Sequence, residues 1–257
     1  MTIFYFTATG NSLSVAKHIG ENLISIPQII DSDNLHYADD VIGIVFPVYA
    51  LSTPKMVGRF LDKVKLEADY TFTIGTYGNM AGAVMDNVQS RAKKAGNRFD
   101  YADTVLMLDN YIPMFEMETE IAGLPKKKVD EQIKQVVENI RNRKHRQVTS
   151  SLVSRGFSAA FNKMLKYDKV AQNYVVDDKC VKCGICTKVC IAKNICVGDK
   201  VNFGNYCEGC QACLHLCPQN AIHLKKQKSN KRWRNPAVAL EEIIMSNNRG
   251  GSHYENI

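Results

Sequence analysis

Short apolar runs alternate with amphipathic stretches over the first 145 residues. Residues 2–6 (TIFYF) form an apolar, aromatic and β-branched run, which predicts a buried strand. Val15, Ile19 and Leu23 recur at helical spacing after a turn of small residues, so a helix should follow this strand. Four further strands are predicted near residues 24–30, 41–47, 70–77 and 104–108.

The segments between the predicted strands carry helix signals. Thr53 and Pro54 indicate a helix start with proline at the first helical position. Further helices are expected over about residues 82–96 and, from apolar positions at helical spacing, over 124–140. Only residues 31–40 separate the second strand from the third, so one crossover helix should be short or missing. This alternation predicts an α/β fold with a parallel sheet of five strands, covered on both faces.

The rest of the chain changes character twice. Residues 142–170 carry a basic run and then an apolar helical face, which predicts a connecting helix. From about residue 174 the chain is rich in cysteine, glycine and short apolar runs, and from residue 225 it is polar and basic. The last residues, 247–257, have the composition of a disordered segment. The predicted divisions are a first domain at 1–145, a linker with a connecting helix at 146–173, a cysteine-rich domain at 174–225 and a basic, partly disordered tail at 226–257.

Composition and charge are those of a globular protein. The 257 residues are 45% hydrophobic and 23% charged, and no apolar run approaches the length of a membrane span. The N-terminus lacks the basic region and cleavage site of a signal peptide, so we expect a cytoplasmic protein without membrane insertion. Basic runs within the net charge of +7 usually form solvated faces, but they would also attract an acidic partner protein or, more weakly, a nucleic acid.

All nine cysteines lie between residues 180 and 217, which indicates a local binding site rather than a disulfide scaffold. Eight of them form two runs with the spacing Cys-x-x-Cys-x-x-Cys-x-x-x-Cys. Three thiolates at such gaps can hold three iron corners of one cubane, whereas a fourth, one helical turn later, points towards another site. A pair of zinc sites is the alternative, although zinc usually takes separated cysteine pairs. The runs are Cys180, Cys183, Cys186 and Cys190, and Cys207, Cys210, Cys213 and Cys217.

This segment resembles the bacterial 2[4Fe-4S] ferredoxins over about residues 174–225. The resemblance implies two 4Fe-4S clusters, with the fourth cysteine of each run ligating the cluster of the other run. It departs from the family after Cys190, where Ile191 replaces the usual proline, and this affects loop shape more than ligation. Outside the ligands, we expect Cys196 to be a small buried side chain and His215 to pack beside or hydrogen-bond a cluster. The implied ligand sets are Cys180, Cys183, Cys186 and Cys217 for one cluster, and Cys207, Cys210, Cys213 and Cys190 for the other.

The turn after the first strand has the composition of a phosphate-binding loop. Small hydroxyl residues and a glycine ahead of a helix let amides and hydroxyls surround a phosphate at the positive helix end. The turn matches neither the nucleoside triphosphate loop nor the dinucleotide motif. Taken alone, such a turn is often only a capped helix start. Its residues are Thr7, Ala8, Thr9, Gly10, Asn11 and Ser12.

Directly after the first strand, this pattern resembles the FMN phosphate loop of the flavodoxins, and the resemblance covers about residues 1–145. It implies a flavodoxin-like, doubly wound sheet with strand order 2-1-3-4-5 and FMN as cofactor. It also implies that the loops after the third and fourth strands enclose the flavin ring, where Tyr49 and Tyr77 could stack on the ring or only pack in the core. These loops supply Pro47, Val48, Tyr49, Ala50, Thr76, Tyr77, Gly78 and Asn79, and Asn110 and Tyr111 are further candidates.

In this order the two parts resemble the flavodoxin-ferredoxin fusion proteins of anaerobic bacteria, which are described as electron carriers. That family implies a flavodoxin-like α/β domain followed by an α+β ferredoxin domain with two clusters. The expected function is electron transfer between two 4Fe-4S clusters, FMN and a redox partner protein. The alternative is an FMN-dependent reductase of a small molecule, fed by its own ferredoxin domain, although no acid-base pair stands out. Nucleic-acid binding through the basic residues around Trp233 is the least favoured function.

Overall fold

The computed structural model describes residues 1–164 and 167–247. Its first part contains a sheet of five parallel strands with helices packed against it. In chain order the elements of this part are β1 Thr2–Tyr5, α1 Asn11–Ile19, β2 Leu23–Ser25, α2 Ile26–Ile29, β3 His36–Ala38, β4 Val41–Pro47, α3 Lys55–Lys63, β5 Lys65–Glu67, β6 Tyr70–Tyr77, α4 Val84–Lys94, β7 Tyr101–Leu106, α5 Met117–Gly123, a 3-10 helix at Leu124–Lys127 and α6 Val129–Arg141.

The strands of the main sheet lie in the order β2-β1-β4-β6-β7, and each neighbouring pair is parallel. Numbered among themselves along the chain, they lie 2-1-3-4-5, which is compatible with a flavodoxin-like fold. Helix α1 packs beside α6, and α3 packs beside α4. Because helices cover the sheet, its strands are mostly buried, and Ile3, Phe4 and Phe72 are fully buried. The short strands β3 and β5 pair with each other outside this sheet.

The ends of two predicted strands are wrong. Strand β2 ends at Ser25, and Ile26–Ile29 forms the helical turn α2 where the sequence predicts a strand up to residue 30. Pro27 accounts for this, because proline cannot donate to a strand ladder but fits the first turn of a helix. Strand β7 begins at Tyr101, earlier than the predicted residue 104, since Tyr101 pairs in register with Phe72 of β6.

The cysteine-rich part is built from two antiparallel strand pairs and two short helices. Strand β8 pairs with β11, and β9 pairs with β10. A helix, α7, precedes this part in the segment where the sequence predicts a connecting helix. The elements are α7 Leu152–Met164, a 3-10 helix at Tyr167–Asn173, β8 Tyr174–Val176, α8 Ile185–Lys188, β9 Ile195–Val197, β10 Val201–Phe203, α9 Ala212–His215 and β11 Ile222–Leu224.

The tail folds back onto the first part of the chain. Its helix α10 (Leu240–Asn247) packs against α2, and Val238 and Ile243 are fully buried. The hydroxyl oxygens of Tyr5 and Ser246 lie 2.7 Å apart. The predicted disordered segment therefore begins inside a helix, at Asn247, and its remaining residues, 248–257, lie outside the described residues. Of the helices that the structure describes, none is long and apolar enough to cross a membrane.

Candidate functional site

The loop between β1 and α1 is held by backbone and hydroxyl contacts. Gly10 is in the left-handed region (φ 102°), and its N–H donates to Thr7 Oγ1 over 3.2 Å. Asn11 begins α1, whose first turn has no acidic residue. The hydroxyl oxygens of Ser12 and Thr76 lie 2.8 Å apart and join this loop to β6. The start of α1 is thus flanked by hydroxyls and has no competing negative charge, which suits an anion.

The tail covers one side of this loop. The Asn235 N–H donates to Thr9 O over 2.8 Å, and Asn235 Nδ2 donates to Asn11 Oδ1 over 3.0 Å. A Cβ atom placed on Gly10 would lie 3.0 Å from the Cβ atoms of both Asn235 and Val238. The tail therefore packs directly on the glycine. Sequence reasoning missed this support, because nothing local in the sequence links the two segments.

A cavity of about 460 Å³ opens beside the loop, where β1, β4 and β6 end. Its volume is within the range of cofactor pockets, and its place at the carboxyl ends of the strands is where sheets of this class bind ligands. The further candidates Asn110 and Tyr111 also line it. All the predicted loop residues except Gly10 line this cavity, which we call the loop cavity: Thr7, Ala8, Thr9, Asn11, Ser12, Pro47, Val48, Tyr49, Ala50, Thr76, Tyr77, Gly78 and Asn79.

Two tyrosines that the sequence singles out lie on the wall of the loop cavity. Tyr49 packs edge-on against Phe6, with ring centroids 6.2 Å apart, and it lines the cavity as well. Tyr77, the last residue of β6, is half-buried and lines the same cavity. Tyr49 therefore contributes to the core and to the wall at once, so its two candidate roles do not exclude each other.

A half-buried carboxylate also lines the loop cavity. Asp109 Oδ2 accepts a hydrogen bond from Asn79 Nδ2 over 3.1 Å, and Oδ1 accepts one from the Tyr111 N–H over 3.0 Å. Burial raises the pKa of Asp109, and the nearby Glu120 carboxylate raises it further. The Lys127 ammonium, 2.9 Å from Glu120, acts in the opposite direction. Sequence reasoning missed Asp109, although its position just after a predicted strand was a usable signal.

The second cysteine run reaches the loop cavity. Gly209, Cys210 and Gln211 line the cavity, together with Phe161 and Met164 of α7. The Gln211 side chain is 2% exposed; its Oε1 accepts a backbone N–H, but its Nε2 has no partner among the described residues. Buried amide donors are normally satisfied, so this one is suited to a bound ligand. None of these five residues was predicted to line the loop cavity, since they come together only in the folded chain.

The eight cysteines of the two runs divide between two small cavities. In each, three cysteines of one run are joined by the fourth cysteine of the other run. Within residues 1–164 and 167–247, no group of three or more His, Cys, Asp or Glu side chains is arranged to hold a metal ion. The first cysteine site is lined by Cys180, Cys183, Cys186 and Cys217, and the second cysteine site by Cys190, Cys207, Cys210 and Cys213.

Burial favours the neutral thiol at several of these sulfurs. Burial raises the pKa of Cys186 and Cys207 to about 11, and it raises the pKa of Cys210 and Cys213 well above the ordinary value. Metal binding at either site would therefore have to release protons. Sulfurs at both sites accept backbone hydrogen bonds, among them those from Asn194 to Cys190 Sγ at 3.2 Å, from Gly209 to Cys207 Sγ at 3.3 Å and from Ala221 to Cys217 Sγ at 3.4 Å.

Two residues near the cysteine runs differ from their predictions. Cys196 lies in β9 and is exposed, so the prediction of a buried side chain is wrong; the strand turns this position outward between two half-buried neighbours. His215 borders neither cysteine site. Its Nε2 lies 2.7 Å from Asn110 O, and its Nδ1 accepts the Trp233 N–H at 3.2 Å. Burial lowers the pKa of His215 to about 4, so the neutral ring joins the second run to a loop of the cavity.

Comparison with solved structures gives a distant likeness. A crystal structure described as that of a "Putative flavoprotein" from Bacteroides uniformis matches with a TM-score of 0.31 and 16% identity, over 46% of this chain and 93% of that chain. No protein-family model matches the chain. No curated protein matches it either. A likeness at this TM-score supplies no argument about the site, so the functional proposal rests on the geometry.

Proposed function

We propose that the chain is an electron-transfer protein that binds FMN in the loop cavity and one 4Fe-4S cluster at each cysteine site. The observation that carries the proposal is the division of eight cysteines into two crossed sets, each around its own cavity. Two-cluster ferredoxins share their ligands between runs in this way. The proposal includes a flavodoxin-like domain at residues 1–145, a linker at 146–173 and a ferredoxin domain at 174–225, as in flavodoxin-ferredoxin fusion proteins.

The donor set suits iron-sulfur clusters. Four cysteines line each cavity, and backbone N–H groups donate to sulfurs at both sites. Such hydrogen bonds stabilise thiolate charge and tune the potential of a cluster. Zinc is less well supported, because a zinc site is usually made from cysteine pairs and needs no exchange of ligands between two triplets. Bound clusters would exchange single electrons, and FMN would hold one or two.

The loop cavity suits the parts of FMN. The hydroxyls of Thr7, Thr9 and Ser12, with the first amides of α1, would bind the phosphate. Tyr49 and Tyr77 would border the ring, and the unpaired Gln211 Nε2 described above would donate a hydrogen bond to the ligand. Because these phosphate-binding groups are neutral, the negative charge of the phosphate would persist near the ring and favour a low reduction potential.

One observation favours the second function, reduction of a small molecule at the flavin. Asp109 lines the loop cavity, and burial raises its pKa, so its carboxyl group could hold a proton for a substrate. Both Asp109 oxygens, however, already accept hydrogen bonds from Asn79 and Tyr111. We therefore place electron transfer first, with a cytoplasmic location and a redox partner protein, whose surface would be acidic to match the net charge of +7.

Cofactor analysis of protein purified without oxygen tests the proposal. We expect about eight irons and eight acid-labile sulfides per chain, together with about one FMN. Zinc with little sulfide would refute the proposal that the cysteine sites bind 4Fe-4S clusters. Absence of flavin after incubation with FMN would refute the proposal that the loop cavity binds FMN. Stoichiometric turnover of an organic acceptor without an added protein partner would favour the function as a reductase.

Alkylation of the cysteines tests the crossed ligand sets. In Cys190→Ser, iron should fall to about four per chain, and Cys207, Cys210 and Cys213 should become open to alkylation, as identified by mass spectrometry. The control is Cys196→Ser, at an exposed cysteine that borders neither cavity, and it should keep about eight irons. Release of Cys183 and Cys186 in the Cys190→Ser protein would contradict the crossing.

A further inference from the structure

The two cysteine sites differ in their relation to the loop cavity. Cys210 and Gln211 line both the second cysteine site and the loop cavity, so a single layer of residues separates these two spaces. Among the described residues, none that lines the first cysteine site also borders the loop cavity. The second site is therefore the one that adjoins the proposed flavin.

The two cysteine sites also adjoin each other. Helix α8, which carries Cys186 of the first site, packs against α9, which carries Cys213 of the second site. Both cysteines are buried in one apolar cluster with Leu214 and Ile222. Packed side chains thus connect the first site to the second site, and the second site to the loop cavity.

The first cysteine site opens to solvent. Cys183 is exposed, and the side chain next to it in the site wall, Val181, is 63% exposed. Lys179 and Lys182 are exposed on the same loop, with two acidic neighbours, the exposed Asp178 and the half-buried Asp177, whose carboxylate lies 3.0 Å from His223 Nε2. An apolar side chain between two cations would suit a partner whose acidic groups surround an apolar contact.

The first part of the chain covers one side of the second cysteine site. Glu208, which lines this site, is buried and accepts backbone hydrogen bonds from Lys55 and Met56 at the start of α3. The four cysteines of the second site are buried or half-buried, in contrast to the exposed Cys183. A partner protein therefore has easier access to the first site than to the second.

We propose that the first cysteine site is the port at which an acidic redox partner exchanges electrons, and that the second site links this port to the flavin. This inference rests on the proposed function. In the reducing direction, clusters held by the two cysteine sets would carry single electrons from a reduced partner towards FMN held in the loop cavity. Two such transfers, with two protons from solvent, would complete the reduction of FMN and would oxidise two partner molecules.

Charge reversal at the port tests the first half of the proposal. The probe is a reduced, acidic plant-type [2Fe-2S] ferredoxin, mixed with the fully loaded protein in an anaerobic stopped-flow instrument. At about 0.01 M salt, the second-order rate for Lys179→Glu/Lys182→Glu should fall by on the order of tenfold, and the difference should vanish at about 1 M salt. The cationic radical of methyl viologen should reduce this variant no more slowly than the wild type.

The matched control reverses the same charge elsewhere. Lys93 and Lys94 are exposed at the end of α4, in the first part of the chain and away from both cysteine sites. Lys93→Glu/Lys94→Glu changes the net charge equally and should alter the rate with the acidic probe much less. If both double variants slowed equally, or if neither slowed, the proposal that the partner exchanges electrons at the first cysteine site would be overturned.

Removal of the second cluster tests the link. A Cys190→Ser protein that retains FMN and about four irons should accept the first electron from the probe at the wild-type rate. This rate is measured by absorbance at the cluster band. Flavin reduction should then slow by at least an order of magnitude. An unchanged rate of flavin reduction would overturn the proposal that the second site connects the first site to the flavin. Wild-type protein that binds neither iron nor flavin would instead overturn the proposed function. The charge-reversal variants keep the inference testable if Cys190→Ser does not fold.

Discussion

Replacement of Gly10 by alanine tests whether the tail and the phosphate loop form one packed unit. Gly10 has a φ of 102°, a conformation that L-residues adopt at a cost of about 1–2 kcal/mol. The added Cβ atom would also lie 3.0 Å from Asn235 Cβ and Val238 Cβ, closer than ordinary contact. Val238 is fully buried, so it cannot move aside without displacing the tail.

The magnitude depends on which segment yields. If the tail stays, the loop keeps a strained alanine, and the loss is about 1–2 kcal/mol. If the tail moves, the hydrogen bonds from Asn235 to Thr9 O and Asn11 Oδ1 are lost as well, at about 1 kcal/mol each. We therefore expect Gly10→Ala to lower the free energy of unfolding by about 1–4 kcal/mol and to weaken FMN binding at least tenfold.

Anaerobic urea unfolding followed by circular dichroism, and quenching of FMN fluorescence on binding, measure the two effects. Gly156→Ala is the control, because Gly156 lies exposed inside α7, and an added Cβ would have no neighbour within 4 Å. Alanine there should stabilise the helix by about 0.5–1 kcal/mol and leave FMN affinity unchanged. If Gly10→Ala matched this control in both assays, the argument that the tail packs on a strained loop would be refuted.

Three further variants address the tail, the alkaline limit and the rim of the cavity. Asn235→Ala should weaken FMN binding about three- to tenfold in the same fluorescence assay, because it removes one side-chain contact with the loop but keeps the backbone bond to Thr9. Burial, and then the bond to an aspartate, raise the pKa of Tyr101 from 10.0 to about 12. The protonated Tyr101 contributes up to about 3 kcal/mol to the free energy of unfolding, fully below pH 10, and this is lost as the pH rises to about 12. Between these two pH values, the free energy of unfolding of Tyr101→Phe, measured by urea titration, should therefore depend less on pH than that of the wild type. Lys127→Met should lower the free energy of unfolding by about 2–3 kcal/mol, because it leaves the Glu120 carboxylate, which is only 12% exposed, without its ammonium partner. A loss below about 0.5 kcal/mol in a urea titration would contradict this.

Local patterns predicted the residues that line the cavities better than they predicted the segments that pack around them. The loop of residues 7–12 and the two cysteine runs are readable because their spacing sets the geometry within one or two turns of chain. A loop cavity at the strand ends follows from the alternation of strands and helices. The error at β2 is also local, since Pro27 was a warning against extending the strand.

Contacts between distant segments could not be predicted in the same way. Gln211 reaches the loop cavity from the second cysteine run, and Phe161 reaches it from α7, yet neither has a sequence pattern that points to the loops after β1 or β6. The same holds for Asn235, whose type and position resemble an ordinary surface turn. Single sequences carry periodicity and spacing, whereas the docking of two parts depends on surfaces that exist only after each has folded.

The tail contacts both the first part of the chain and the cysteine-rich part. Its Asn235 supports the phosphate loop, and its last described residue, Asn247, donates from Nδ2 to Val189 O over 3.2 Å, just after α8 of the first cysteine site. Between them, Ile243 is fully buried in the same apolar core as β1. A change that detaches this segment therefore removes contacts from the loop and from the cysteine-rich part together. Because one segment contacts both, packing rather than a flexible linker fixes the distance between the loop cavity and the cysteine sites, as electron transfer between the proposed flavin and clusters would require.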